Sequence, residues 1–116
     1  MIKSGIKYEQ GEIVLAPFPF TDLSTVKQRP LLIISNNNYN NKTEDLVTCG
    51  ITSNPKDTDF SILIDDKDLT TGQLPIASRI KVDKLFTLSK NIIKKKIRKV
   101  KENIFNEGKK ELLNLI

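Results

Sequence analysis

The apolar residues of this 116-residue chain come in short runs broken by prolines and polar turns. Ile13–Ala16 and Leu31–Ile34 are each four residues long, with Pro17, Pro19 and Pro30 close beside them. Proline has no N–H for a ladder and breaks a helix interior, so such runs read as short strands. Glu12 to Ala16 is the first, and Pro17 and Pro19 must leave the sheet or lie at its edge. "TDLSTVKQ" then reads as a loop, and Pro30 opens a second strand, "PLLIIS", whose continuous apolar character implies cover on both faces.

Asn36 to Asp45 is a polar connection rich in turn residues. Leu46 to Ile51 is a third strand, with Val47, Cys49 and Ile51 on one face and Thr48, Gly50 and Thr52 on the other. "DFSILI" alternates with Phe60, Ile62 and Ile64 inward, and Asp65 to Gln73 is loop-like with its turn at Gly72. Pro75 to Val82 is a further strand, and Lys84 to Leu88 continues the pairing. Beyond it two patterns compete. Ile93, Ile97, Val100 and Ile104 fit a helix, whereas "KKIRKV" alternates like a lysine-guarded edge strand. Ile104, Phe105, Leu112, Leu113 and Ile116 mark a final amphipathic helix, weakened by Gly108. Five or more strands and a closing helix imply a mainly β (α+β) barrel forming a single domain over residues 1–116.

The single cysteine, Cys49, excludes an internal disulfide and fits a reducing compartment. The N-terminal residues offer no apolar stretch for a signal peptide or membrane span, so the expectation is a cytoplasmic protein without membrane association. The net charge of +5 is unevenly spread. Seven of the 19 Lys and Arg lie in residues 90–101, leaving 12 against 14 Asp and Glu elsewhere. That block suits a polyanion or an acidic partner, and equally a solvated face.

With no histidine, zinc-ligand sets, Cys-His pairs and Ser-His-Asp triads are excluded, as is a histidine-based ribonuclease. No phosphate-cradling glycine motif is present. Asp65, Asp66 and Asp68 read as solvated turn residues, so neither a metal nor a cofactor is expected. What remains is Arg29, Thr52 and Ser53, with Asp22, Ser24, Thr25 and Lys27 in the first loop. An arginine fork matches phosphate geometry and stabilises a phosphorane-like transition state. RNA brings its own nucleophile, the 2′-hydroxyl. On the residues alone, a plainer reading has the better claim: Arg29 pairs with Asp22 or Glu12, and Thr52 begins a turn.

The stretch "GEIVLAPFPFTDLSTVKQRPLLIIS" resembles the opening of PemK/MazF-like toxins of type II toxin–antitoxin systems. "VTCGITSN" is similar to the family's second motif, and "DKLFTL" to its C-terminal portion, so the likeness runs from Gly11 to the final helix. The resemblance implies an SH3-like, plasmid-maintenance-toxin barrel of five to seven strands with a C-terminal helix, in a homodimer. It also implies a metal-independent endoribonuclease that cuts single-stranded mRNA to a 2′,3′-cyclic phosphate and a 5′-hydroxyl. Arg29 would stabilise the pentavalent phosphate, with shuttling of a proton as a second role open to it, and Thr52 would position the phosphate or the 2′-hydroxyl. Phe20, Thr21, Asp22, Ser24, Thr25, Lys27, Gln28 and Ser53 would bind substrate.

Ser24 and Thr25 stand where several members carry Glu-Gln, which leaves the general base unassigned and Asp22 as the first loop's carboxylate. The implied partners are single-stranded RNA, an acidic-tailed cognate antitoxin and, with that antitoxin, promoter DNA. Lys94, Lys95, Lys96, Arg98 and Lys99 would serve RNA or antitoxin electrostatics as auxiliaries. Two alternatives are a non-catalytic co-regulator and a gyrase poison. The second ranks low, because such toxins use a C-terminal tryptophan that this chain lacks.

Overall fold

The computed structural model describes residues 6–18, 27–54, 56–74 and 76–116. Seven strands lie among them: β1 (Glu12–Phe18), β2 (Lys27–Ile33), β3 (Asp45–Thr52), β4 (Ser61–Ile64), β5 (Leu69–Thr71), β6 (Ser78–Ser89) and β7 (Lys95–Val100). They form one sheet in the order β4-β6-β3-β2-β1-β7-β5, with every adjacent pair antiparallel. Two helices, α1 (Asn37–Lys42) and α2 (Glu102–Leu115), complete the described fold. No helix among the described residues is long and apolar enough to cross a membrane.

The sheet curls into a half-barrel. Ile62 and Ile64 of one edge strand and Leu69 of the other share a buried cluster with Ile13, Leu32, Cys49, Ile80, Val100 and Ile104 of α2. A second cluster, Tyr8, Val14, Ala16, Leu31, Ile33, Leu46 and Ile93, covers the opposite face. Leu31, Leu32 and Ile33 are therefore all buried, as the unbroken apolar run implied. Each such side chain contributes roughly 1.5–3 kcal/mol, and with few aromatics the aliphatic residues carry the core.

Several boundaries differ from the sequence expectation. Pro17 lies inside β1 opposite Gln28, but β7 pairs with β1 only as far as Leu15, so the proline sits at a local edge. Pro30 lies within β2, opposite Leu15, and the ladder to β3 begins one residue later at Leu31. The polar connection contains α1, because the Asn36 side chain caps it by accepting the Tyr39 N–H at 2.8 Å. Phe60 is not an inward strand residue. Its φ of 55° places it in a left-handed turn before β4, half-buried.

Asp65 to Gln73 is more ordered than a loop. It holds a 3-10 turn over Asp66–Asp68 and then β5. The two expected strands near residues 75–88 are one long strand, β6, carrying a bulge. Gly50 pairs with Lys81 and Cys49 with Leu85, so Val82, Asp83 and Lys84 are extra on β6. In the C-terminal third the strand pattern prevails over residues 95–100, and β7 lies between β1 and β5 instead of at an edge.

Candidate active site

β2 and β3 bring the two motif residues together. Their ladder ends at Leu31 and Gly50, and two residues further along each strand lie Arg29 and Thr52. Alternation puts Arg29 with Leu31 and Thr52 with Gly50 on the same side of the sheet. Both residues line a cleft of about 450 Å³, shared with Leu31, Gly50, Lys56, Thr58, Lys81, Lys84 and Phe86 among others. Gly50 leaves room there, since a methyl group in its place would stand 3.7 Å from Cβ of Lys84. The bulge in β6 is what returns Lys84 to this face. Thr48 secures it by donating its hydroxyl to the Phe86 carbonyl across the strands at 2.9 Å.

Thr52 is half-buried, and its Oγ1 accepts the Asn54 N–H at 3.2 Å. Asn54 Oδ1 in turn accepts the Lys56 N–H at 3.1 Å, so Thr52 does begin a turn. A hydroxyl that accepts one bond keeps its proton to donate, so the turn and a substrate contact are compatible. Of the two carboxylates considered as partners for Arg29, Glu12 pairs with Lys96 at 3.4 Å. Asp22 lies outside the described residues. The described cleft lining thus combines four cationic side chains, two threonine hydroxyls, an amide and an apolar surface, with no carboxylate. Such a lining suits a phosphate-bearing ligand.

The other expected site residues divide. Phe20, Thr21, Asp22, Ser24 and Thr25 lie outside the described residues, and Lys27 is placed only as the first residue of β2. Gln28 is exposed opposite Pro17, and Ser53 is exposed beside Thr52 without lining the cleft. The basic segment lies on β7, with β1 between it and β2. Lys96 pairs with Glu12, stands 5.7 Å from the Tyr8 ring centre and donates to the Lys7 carbonyl. Lys99 binds Glu9 at 3.1 Å and holds that carboxyl below its usual range, while Arg98 donates to the Gln73 carbonyl. Lys94 and Lys95 are exposed.

Asn54, Lys56, Thr58, Lys81, Lys84 and Phe86 were not anticipated in the cleft. The alternation of Arg79 and Lys81 with Ser78, Ile80 and Val82 was a signal of a cationic strand face. Lys84 gave none, because it reaches the cleft through the bulge. The acidic turn is spent on its own backbone. Asp65 accepts from Lys67 N–H, Asp68 from Asp65 N–H and Asp66 from Leu74 N–H, at 3.1, 2.8 and 2.7 Å.

Fold and cleft together define a small curled-sheet protein with a cationic, hydroxyl-bearing cleft. The chain belongs to the PemK-like, MazF-like toxins of type II toxin–antitoxin systems, whose family model matches residues 9–116. Solved structures share the fold. An endoribonuclease in complex with its cognate antitoxin from a mycobacterial species superposes with a TM-score of 0.74 at 21% identity, covering 92% of each chain. MazF from Deinococcus radiodurans gives 0.74 at 20% identity, over 95% of this chain and 96% of that one. The Mycobacterium tuberculosis toxin MazF-mt6 gives 0.66 at 16% identity, over 89% of each. A comparison with curated proteins found no match.

Proposed function

We propose that this toxin is a metal-independent endoribonuclease that cuts single-stranded RNA in the cleft between β2, β3 and β6. The observation that carries the reading is the convergence of Arg29 and Thr52 on one cleft already rich in lysine. The 2′-hydroxyl oxygen attacks the adjacent phosphorus, the bond to the 5′ oxygen breaks, and the products are a 2′,3′-cyclic phosphate and a 5′-hydroxyl. Arg29 donates to the non-bridging oxygens as charge gathers on them, and Thr52 orients the phosphate or the 2′-hydroxyl. The lysines supply the remaining positive charge. The 2′-hydroxyl proton is removed as its oxygen attacks, and a proton is delivered to the departing 5′ oxygen; Asp22 is the carboxylate that the first loop contains.

A cognate antitoxin with an acidic tail neutralises the toxin, and Lys94 and Lys95 offer exposed charge for that encounter. The toxin acts as a homodimer and joins the antitoxin on promoter DNA. The test is cleavage of a long single-stranded RNA in EDTA, with the ends mapped. Arg29→Ala and Thr52→Ala should each lower kcat by about 10²–10³-fold in protein that still folds, as circular dichroism reads. Full activity in either variant removes the role given to that residue, and no cleavage by the parent protein removes the reading.

A further inference from the structure

Arg79 stands directly across the β3–β6 ladder from Thr52, yet it does not line the cleft. Its side chain is 12% exposed, and its Nη2 lies 3.3 Å from the Asp57 carboxylate. Its Nη1 donates to Ser61 Oγ at 3.0 Å. Ser61 Oγ is 3.0 Å from Thr58 Oγ1, and Ser61 also donates to the Thr58 carbonyl. Thr58 Oγ1 accepts from Lys81 Nζ at 2.8 Å. One proton order satisfies both hydroxyls: Thr58 donates to Ser61, and Ser61 donates to the carbonyl.

This chain of contacts runs from a largely buried guanidinium to two residues of the cleft wall, Thr58 and Lys81. Asp57, which is 89% exposed, cannot gain much from the ion pair on its own account. The strong requirement is on the side of Arg79, whose desolvated charge needs acceptors around it. Two of those acceptors bracket the end of the segment leading from β3 into β4, which also carries Lys56 of the cleft: Asp57 lies in it and Ser61 opens β4. The guanidinium therefore draws that segment down onto β6.

We propose that Arg79 is a positioning residue. It fixes the segment 56–61 as one wall of the cleft and, through Ser61 and Thr58, sets where the Lys81 ammonium sits. Its effect on the reaction rests on the proposed RNA cleavage, whereas its hold on the wall does not. Removing it should weaken the interactions that substrate and transition state share, and so should fall on KM more than on kcat.

Two measurements separate these levels. In the full-length protein, Arg79→Ala should speed hydrogen exchange about tenfold or more at the Val82 amide, which donates to the Phe60 carbonyl of that segment at 3.0 Å, with the Leu32 and Cys49 amides of the central ladder unchanged. On a single-stranded RNA carrying a mapped cut site, the same variant should raise KM about tenfold and change kcat less than about threefold, with Arg79→Lys recovering most of the loss. If Arg79→Ala does not fold, Ser61→Ala, which breaks the relay but leaves Asp57 to pair with the arginine, should show the same pattern more weakly. Unchanged exchange at Val82 overturns the positioning role whatever the protein cleaves. A fall in kcat at constant KM overturns it as well. A wall loosened in Arg79→Ala, with a parent protein that cuts no RNA, overturns the proposed reaction and supports the hold of Arg79 on the wall.

Discussion

Burial pushes the Cys49 thiol from an ordinary 9.0 up to about 12, and the nearby Asp83 carboxylate adds to the shift. At pH 8 the folded protein therefore holds almost no thiolate, which is the form that alkylates. Iodoacetamide should leave the native protein unlabelled and modify it fully in denaturant, as mass spectrometry would read. The sign of the linked stability follows. Between about 9 and about 12 the folded state keeps a proton that the unfolded chain gives up, so Cys49 makes stability fall as pH rises through that window. Denaturant midpoints on either side of pH 9, compared with Cys49→Ala, isolate this contribution. At the same scale, Arg29 and Thr52 were legible because their motifs are local strings of residues. Lys81, Lys84 and Phe86 were not, because they reach the cleft through pairing with a strand some thirty residues earlier and through the bulge in β6 itself.

Two glycines show how elements differ in what they tolerate. Gly72 turns from β5 with a φ of +85°, and a Cβ there would sit 2.8 Å from the Ile97 carbonyl oxygen and from Arg98 Cγ. Gly72→Ala should therefore cost about 1–3 kcal/mol, since it combines left-handed strain with a clash against backbone. Gly108 lies within α2, where a Cβ would meet Ile62 Cδ1 at an ordinary 3.6 Å. Gly108→Ala should stabilise the protein by about 0.5–1 kcal/mol through helix propensity alone. Chemical denaturation of the two variants checks the opposite signs. Strand existence was readable from short apolar runs, and α2 from its spacing. The 95–100 segment was ambiguous because Ile97 and Val100 follow helical spacing while the lysine-rich run around them also reads as an edge strand, and the choice falls to pairing with β1 and β5. α1 escaped notice because a six-residue helix of polar residues has no apolar stripe, only the Asn36 cap.

Across the whole molecule, the proposed cleavage asks which positive charges meet RNA. Composition located the charge in residues 90–101, but Lys90, Lys96, Arg98 and Lys99 are engaged within the protein. The cleft instead gathers Arg29, Lys56, Lys81 and Lys84 from β2, β6 and the segment after β3. If those four meet phosphates, the affinity for single-stranded RNA should fall with salt on a log–log slope of about −3. Lys56→Gln with Lys84→Gln should reduce the slope to about −1.5, while Lys94→Gln with Lys95→Gln should leave it unchanged. Fluorescence anisotropy over a salt series reads both.

The contacts that occupy the basic segment have a consequence for synthesis. Glu9, Glu12 and Tyr8 at the start of the chain hold Lys96 and Lys99 near its end, and β1 zips onto β7 from Glu12 opposite Lys99. Pairings of such long sequence separation carry a loop-closure cost before they return any contact, which slows folding. A nascent chain that has reached Ser89 has β1, β2, β3 and β6, yet lacks the strand that pairs with β1's other side and the helix that buries Ile104. The seven-stranded sheet therefore closes only once residues 95–100 are available to pair with β1 and β5.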